Sequence, residues 1–367
     1  MIVAERVVGT ELMDIYEKVM SEKRLTFDDG IRLYQSRNLA GVGYLANIAK
    51  ERLYGDKAYY VRNQHINYTN ICNKACRFCS FYAKKGGPDP YTLSLDEVRS
   101  RLLQHKDVPI TEVHIVGGID PRLPYNYYLD LLRTVKEVRP GVHIKAFTPV
   151  ELIEIARVAG KSLEATLQDL IEAGLESLPG GGVEVMSDRV RDALFDRKLD
   201  SREWKAVARI VAKAGLLQYA TMLYGHIETI EERVDHLLQL RALQDETKHF
   251  LAFTPLCFHP EGTELSDLPH PTGEDDLRNI ALSRLMLDNF PHIKSFWVMN
   301  TPAVTQVALW YGADDVDGTV HEYEVVYADD NPGMKTQVLT RTALVEMIIE
   351  TGRVPVERDS LYREVDS

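Results

Sequence analysis

From Ala58 onward the sequence repeats one unit: a β-rich apolar run, a loop, then an amphipathic helical stretch. Seven runs read as strands: AYYVRNQHINYT (58–69), TEVHIVGG (111–118), VHIKAFT (142–148), LESLPGGG (175–182), LLQYATMLYG (216–225), FLAFTPLCF (250–258) and IKSFWVM (293–299). Helical patterns separate them, and a last helix is expected to begin near Thr301. Ser94 with Glu97, and Thr229 with Glu232, have the spacing of capping boxes. Ser162 opens a helix that Gly174 closes at its C′ position. Strands alternating with helices at this spacing mean parallel βαβ units. Runs such as FLAFTPLCF are apolar without clear alternation, as in strands buried on both faces. The expected fold is α/β, a TIM-type (β/α) barrel, partial or complete. A doubly wound open sheet is the alternative, but no GxGxxG follows a first strand. In a barrel the chemistry sits in the loops at the C-terminal strand ends.

The organisation expected is a helical cap over residues 1–55, the barrel over 56–330, and a helical C-terminal extension over 331–367 packed on the barrel. Hydrophobic residues are 45% and charged residues 27%, which excludes a disordered chain and leaves apolar material for a large core. Lys plus Arg is 43 against 55 Asp plus Glu, a net charge of −12. So acidic a surface argues against a nucleic-acid partner. No run of about 18 apolar residues is present, so no membrane span is expected. The N-terminus carries charges where a signal peptide needs an apolar run, and a cytoplasmic location is expected.

The chain has four cysteines, Cys72, Cys76, Cys79 and Cys257. Three of them form C-x3-C-x2-C in the loop after the first strand, NYTNICNKACRFCSFY. Three thiolates hold three irons of a [4Fe–4S] cluster and leave the fourth iron open. A structural zinc wants four protein ligands. His65 is the nearest candidate for a fourth, and a non-enzymatic zinc module is the rival from another class. Cys257, far away in sequence, reads as a core thiol.

Other candidates stand at strand ends. Gly117 and Gly118 close the second strand, as a tight turn or a cofactor contact. Gly180 to Gly182 permit close backbone approach to a ligand. Glu184 is either a solvated loop carboxylate or an acceptor for ribose hydroxyls. Lys145 sits in a strand headed for the core, where lysine is rarely buried unpaired; it either pairs with Glu151 or binds a substrate carboxylate. His226 is either a structural loop histidine or a substrate contact, and His259 is a weaker candidate of the same type.

The cysteine loop, with Phe78 before its last Cys, resembles the radical S-adenosylmethionine (SAM) superfamily. The resemblance implies that Cys72, Cys76 and Cys79 hold a [4Fe–4S] cluster whose open iron chelates SAM. Reductive cleavage of SAM then gives a 5′-deoxyadenosyl radical. It also implies that the Gly117–Gly118 backbone meets the SAM methionyl group, that Glu184 meets ribose, and that Gly225 faces the adenine. The likeness runs from about Arg52 to Tyr323. LPGGGVEV, ATMLYGHIET, LQDET, FTPLCFHPEGTEL and YGADDVDGTVHE resemble a group that includes two enzyme families of the futalosine route to menaquinone and the deazaflavin-chromophore synthases. Within that group the sequence is most similar to the aminofutalosine synthase family. The cyclase and deazaflavin families are the alternatives; the cyclase family has more aromatic character where this chain has Pro255, Leu256 and Cys257. The implied reaction is addition of the adenosyl radical to 3-[(1-carboxyvinyl)oxy]benzoate, with rearrangement and decarboxylation. Its partners would be this small carboxylate substrate and an electron donor such as flavodoxin or ferredoxin. The oligomeric state stays open.

Overall fold

The expected alternation of strand and helix builds a partial barrel, a curled half-barrel whose two edges are bridged by one later segment. The structure, a computed structural model, describes residues 2–85, 87–195, 198–323, 325 and 338–365. Its strands are β1 (Lys57–Val61), β2 (Asn63–Ile66), β3 (Glu112–Ile115), β4 (His143–Ala146), β5 (Ser177–Leu178), β6 (Leu217–Tyr224), β7 (Phe250–Cys257), β8 (His292–Ile293), β9 (Asp315–Gly318) and β10 (Val354–Glu357). Strands β2 to β8 form one parallel sheet in sequence order. Both edges of that curled sheet bond to the same segment, Asp314–His321. On one side Asp314 N–H donates to Ile293 O and Ser295 N–H to Asp315 O. On the other, His65 N–H donates to His321 O and His321 N–H to Asn63 O. These bonds satisfy edges that would otherwise template aggregation.

Many of the helices start at a capping side chain. Ser94 Oγ accepts from Glu97 N–H while the Glu97 carboxylate accepts from Ser94 N–H. Thr229 and Glu232 do the same at Ile230–Thr247. Residues 2–54 form helices, the longest Leu39–Tyr54, which packs on the helix Gly273–Met286. Among the described residues no helix is long and apolar enough to cross a membrane.

The structure corrects three local expectations. AYYVRNQHINYT is two strands, not one. It breaks at Arg62, whose carbonyl accepts from Thr111 and Glu112 N–H, and β1 belongs to a second parallel sheet ordered β10–β1–β9. The run 293–299 stops being strand at Ile293 and becomes the short helix Trp297–Asn300. All of that helix is buried, and periodicity cannot tell a fully buried helix from a fully buried strand. The C-terminal stretch, expected to be helical, holds the helix Arg341–Ile349 and also β10.

After β10 the chain turns into the N-terminal mouth of the ring and plugs it. The Arg358 guanidinium, fully buried, donates to the Asp315 carboxylate. Ser360 Oγ donates to Glu112 Oε2 at 2.8 Å, and Tyr219 OH donates to Ser360 O at 2.8 Å. Removing one partner of a buried ion pair leaves the other uncompensated, at a cost of about 3–5 kcal/mol. Arg358→Met is expected to lose that much unfolding free energy in a urea titration. A loss below about 1 kcal/mol would contradict the plug.

Candidate active site

A cavity of about 310 Å³ opens at the C-terminal ends of the strands and runs into the ring. Cys72, Cys76 and Cys79 line it, and all three are free thiols. The loop that carries them is pinned by backbone bonds to distant elements. Asn73 N–H donates to Ile119 O, Arg77 N–H to Leu194 O, and Glu264 N–H to Arg77 O. Burial pushes the Cys76 thiol up to about 12 and raises Cys79 as well. Sulfurs this desolvated ionise only against a strong positive charge such as a metal centre. Three thiols on one cavity, with no fourth cysteine among the described residues lining it, fit a cluster with one open iron. Cys257 lies elsewhere, buried beside Tyr224 and Asp276.

Gly118 packs directly under the cysteine loop. A Cβ there would come 2.3 Å from Ile71 O and 3.1 Å from Cys72 Cβ. Gly117 N–H donates to Glu151 Oε1 at 3.0 Å. Glu151 is thus fully engaged: Oε1 also accepts from Tyr68 OH at 2.8 Å, and Oε2 accepts from Thr148 N–H and Oγ1 at 2.7 Å each. Burial raises its carboxyl to about 7 despite these donors.

Lys145 therefore does not pair with Glu151. Its Nζ lies 2.6 Å from Glu112 Oε1. The reason is strand register. Lys145 on β4 is level with His114 on β3, and Glu112 lies two residues before His114 on the same face. Glu151 is spent on capping the helix Pro149–Ala159, which the sequence reading left unmarked.

Glu184 is not solvated either. It is buried and pairs with Lys198, Nζ to Oε1 at 2.6 Å. Lys198 lines the same cavity, 4.9 Å from the Phe78 ring centroid and 5.0 Å from that of Phe195. Gly180 and Gly182 line the cavity, and a Cβ on Gly180 would meet Thr221 Cγ2 at 2.7 Å.

Gly225 and His226 are not among the lining residues. Gly225 N–H donates to Glu228 Oε1 at 2.6 Å, and His226 Nδ1 lies 2.8 Å from Glu228 Oε2. The loop after β6 is thus folded onto its own carboxylate. His259 Nε2 faces Met299 O at 3.1 Å, also outside the cavity lining.

The cavity ends on a polar floor. Small TIM-type rings are usually filled by branched apolar side chains. Here His65, His114, Lys145, Tyr219, Lys294 and Asp317 line the bottom. Lys294 Nζ lies 3.2 Å from Asp317 Oδ2, and both lysine ammonium groups sit over the Tyr219 ring, at 4.6 Å for Lys145 and 5.1 Å for Lys294. Burial opposes ionisation of Glu112, yet Lys145, Lys294 and Arg358 together hold it well below the usual carboxylate range. His65 sits in this floor layer beside His114, ring centroids 4.6 Å apart. Of the floor only Lys145 and His65 were singled out in the sequence. A usable signal for the others was the alternation Asn63-x-His65 and Glu112-x-His114, polar residues on one face of otherwise apolar strands.

Gly118→Ala is expected to displace the cysteine loop, because the clash is with backbone. Iron per chain after anaerobic reconstitution should fall at least severalfold while the circular dichroism of the apo-protein stays that of the wild type. Full iron loading would show that the loop tolerates the methyl group.

Comparisons with known proteins agree with this geometry. A model described as the radical SAM superfamily matches residues 66–240, and one described as the CofH/MqnC C-terminal region matches residues 247–367. An aminodeoxyfutalosine synthase of Thermus thermophilus is 44% identical over 96% of this chain and 96% of its own. One of Streptomyces coelicolor is 40% identical, covering 95% and 92%. A cyclic dehypoxanthine futalosine synthase of Halalkalibacterium halodurans is 35% identical, covering 95% and 93%. The crystal structure of methylornithine synthase superposes with a TM-score of 0.75 at 19% identity, covering 93% and 96%, a likeness of fold. With a cysteine loop, a parallel ring and near-full-length relatives in agreement, the chain belongs to the radical SAM superfamily, in the group that carries the CofH/MqnC C-terminal region.

Proposed function

We propose that this chain is an aminodeoxyfutalosine synthase, a radical SAM transferase of menaquinone biosynthesis. It would join the 5′-deoxyadenosyl group of SAM to 3-[(1-carboxyvinyl)oxy]benzoate. The observation that carries this reading is the 44% identity to the Thermus thermophilus relative of that name over 96% of both chains, against 35% for the cyclase relative. The cavity supports it, with three thiols lining one part and a polar, hydrogen-bonding floor for a carboxylate-bearing substrate.

Cys72, Cys76 and Cys79 are the residues that would hold a [4Fe–4S] cluster. Bound there, such a cluster would supply the electron that cleaves SAM to the adenosyl radical. The reaction forms a bond from C5′ to the vinyl carbon, moves the radical onto the aromatic ring and loses the carboxylate carbon. Its products are 6-amino-6-deoxyfutalosine, methionine and, with one water taken up, bicarbonate from the vinyl carboxylate, so no net oxidant or reductant is consumed. The chain's own work is to bind, orient and exclude water. A primary radical reacts with whatever lies closest, so fixed geometry selects addition over hydrogen abstraction. Phe81, Tyr82, Phe296 and Tyr323 give the cavity apolar walls that keep water away. Gly117 and Gly118 set the backbone beside the cysteine loop, where the SAM methionyl group would bind. Glu184, held behind the cavity lining by Lys198, would be the acceptor for the ribose hydroxyls. The electron source would be a small reducing protein of flavodoxin or ferredoxin type.

The test is one anaerobic assay of reconstituted protein with SAM, dithionite and 3-[(1-carboxyvinyl)oxy]benzoate, read by mass spectrometry. An adenosylated, decarboxylated adduct is expected. Free 5′-deoxyadenosine with untouched benzoate would move the assignment to the cyclase family. Alanine at any one of Cys72, Cys76 or Cys79 is expected to abolish SAM cleavage, whereas Cys257→Ala should keep the iron content of the wild type. A fully active Cys76→Ala protein would sink the cluster assignment.

A further inference from the structure

Among the described residues' buried side-chain atoms with no hydrogen-bond partner, three belong to residues lining this one cavity: His65 Nδ1, His114 Nε2 and Thr221 Oγ1. Orphaned polar atoms are costly, and each calls for a cause. The imidazoles have a specific one. Asn63 Nδ2, a donor only, lies 3.4 Å from His65 Nε2. His65 Nε2 therefore accepts, the ring hydrogen sits on Nδ1, and an unused N–H remains in the floor. His114 lies beside it in strand register and leaves Nε2 unused. Lys145 is the register partner of His114 on the next strand. A lysine ammonium carries three donors; among the described residues Lys145 spends one on Glu112 and Lys294 one on Asp317.

From this geometry we infer that the floor is a carboxylate subsite, in which the unused nitrogens of His65 and His114, flanked by Lys145 and Lys294, take the ring carboxylate of the substrate. The inference rests on the reading of the substrate given above and assigns its orientation. The vinyl group has to lie toward the cysteine end, which leaves the ring carboxylate at the far end of the cavity, against the imidazoles. Two lysines and two carboxylates make the floor neutral by itself. The ligand is held by directed donors rather than by excess positive charge, which favours one placement over many. Burial holds His65 neutral, at about 4, and keeps His114 neutral too, so both imidazoles act as N–H donors rather than as cations. A carboxylate facing the unused Nε2 of His114 would favour the tautomer with hydrogen on that nitrogen. Behind them Ser360 and Glu112 fix Lys145 from below.

The test is calorimetric binding to cluster-reconstituted protein with SAM present and no reductant, so that nothing turns over. Two ligands are compared: 3-[(1-carboxyvinyl)oxy]benzoate and 2-phenoxyacrylate, the same vinyl ether without the ring carboxylate. In the wild type the phenyl analogue is expected to bind about tenfold to hundredfold more weakly, the range for hydrogen bonds to a charged group. His65→Leu and His114→Leu should each weaken the benzoate by about tenfold or more and leave the phenyl analogue within about twofold. His65→Gln, which restores an N–H donor, should recover part of the loss. Iron content and SAM affinity of the variants show whether they are folded. Equal losses for both ligands, or no loss for either, would overturn the subsite. If the wild type makes the adduct but no variant discriminates the ligands, only the subsite fails. If the wild type neither binds nor converts the benzoate, the substrate reading fails and takes the subsite with it.

Discussion

An ammonium and a carboxylate lie side by side in the middle of a strand ring, and much else in this protein is arranged around them. Lys145 and Glu112 sit where small barrels normally place branched apolar side chains. A buried pair of this kind survives only if its remaining lone pairs and protons also find partners. Glu112 receives Ser360 from the C-terminal segment, and Lys145 lies over the Tyr219 ring. Tyr219 in turn donates to the Ser360 carbonyl. The tail after β10 is thus part of the ring interior. Its role is to complete the polar satisfaction of a floor that an apolar core would not require.

The opposite end of the cavity obeys a different constraint. There the chain must offer three sulfurs from one short loop without letting the loop collapse. It does so with backbone bonds to three separate elements and by leaving out a side chain at Gly118, where the turn after β3 runs beneath Ile71. Glu151 joins the two ends of this device. One carboxylate caps a helix through Thr148 and holds the Gly117 amide in place. A helix start and the turn beside the cysteine loop therefore share a single side chain.

Much of this was legible in the residues. The strand–helix alternation fixed the parallel α/β ring, and capping pairs such as Ser94 with Glu97 placed helix starts. The three cysteines and the Gly117–Gly118 pair fall on the cavity where motif and strand end coincide. What was not legible depends on contacts between residues distant in sequence. Glu151 looked like a partner for Lys145 because it is near in the chain; strand register gave that place to Glu112 instead. Gly225 and His226 looked exposed at a strand end, but Glu228 binds that loop to itself. Lys198 carried no motif, and only the folded chain brings it to Glu184. The bend at Arg62 follows from pairing with strands more than two hundred residues later, which no local window contains.

That last pairing bears on how the protein is made. β1 takes its two neighbours from residues 315–318 and 354–357, close to the end of the chain. Long-range pairings of this kind form late, because a large loop must close before they are rewarded. During synthesis the strands from β2 to β8 can accumulate in order, each beside its predecessor. The first strand waits with an open edge until almost the whole polypeptide has left the ribosome. The floor of the cavity, which depends on Ser360, is completed at the same late moment. A nascent chain is therefore able to present its cysteine loop well before it has a chamber in which to use it. The cysteine loop and the polar floor are thus completed at different stages, ordered by the position of each segment along the chain.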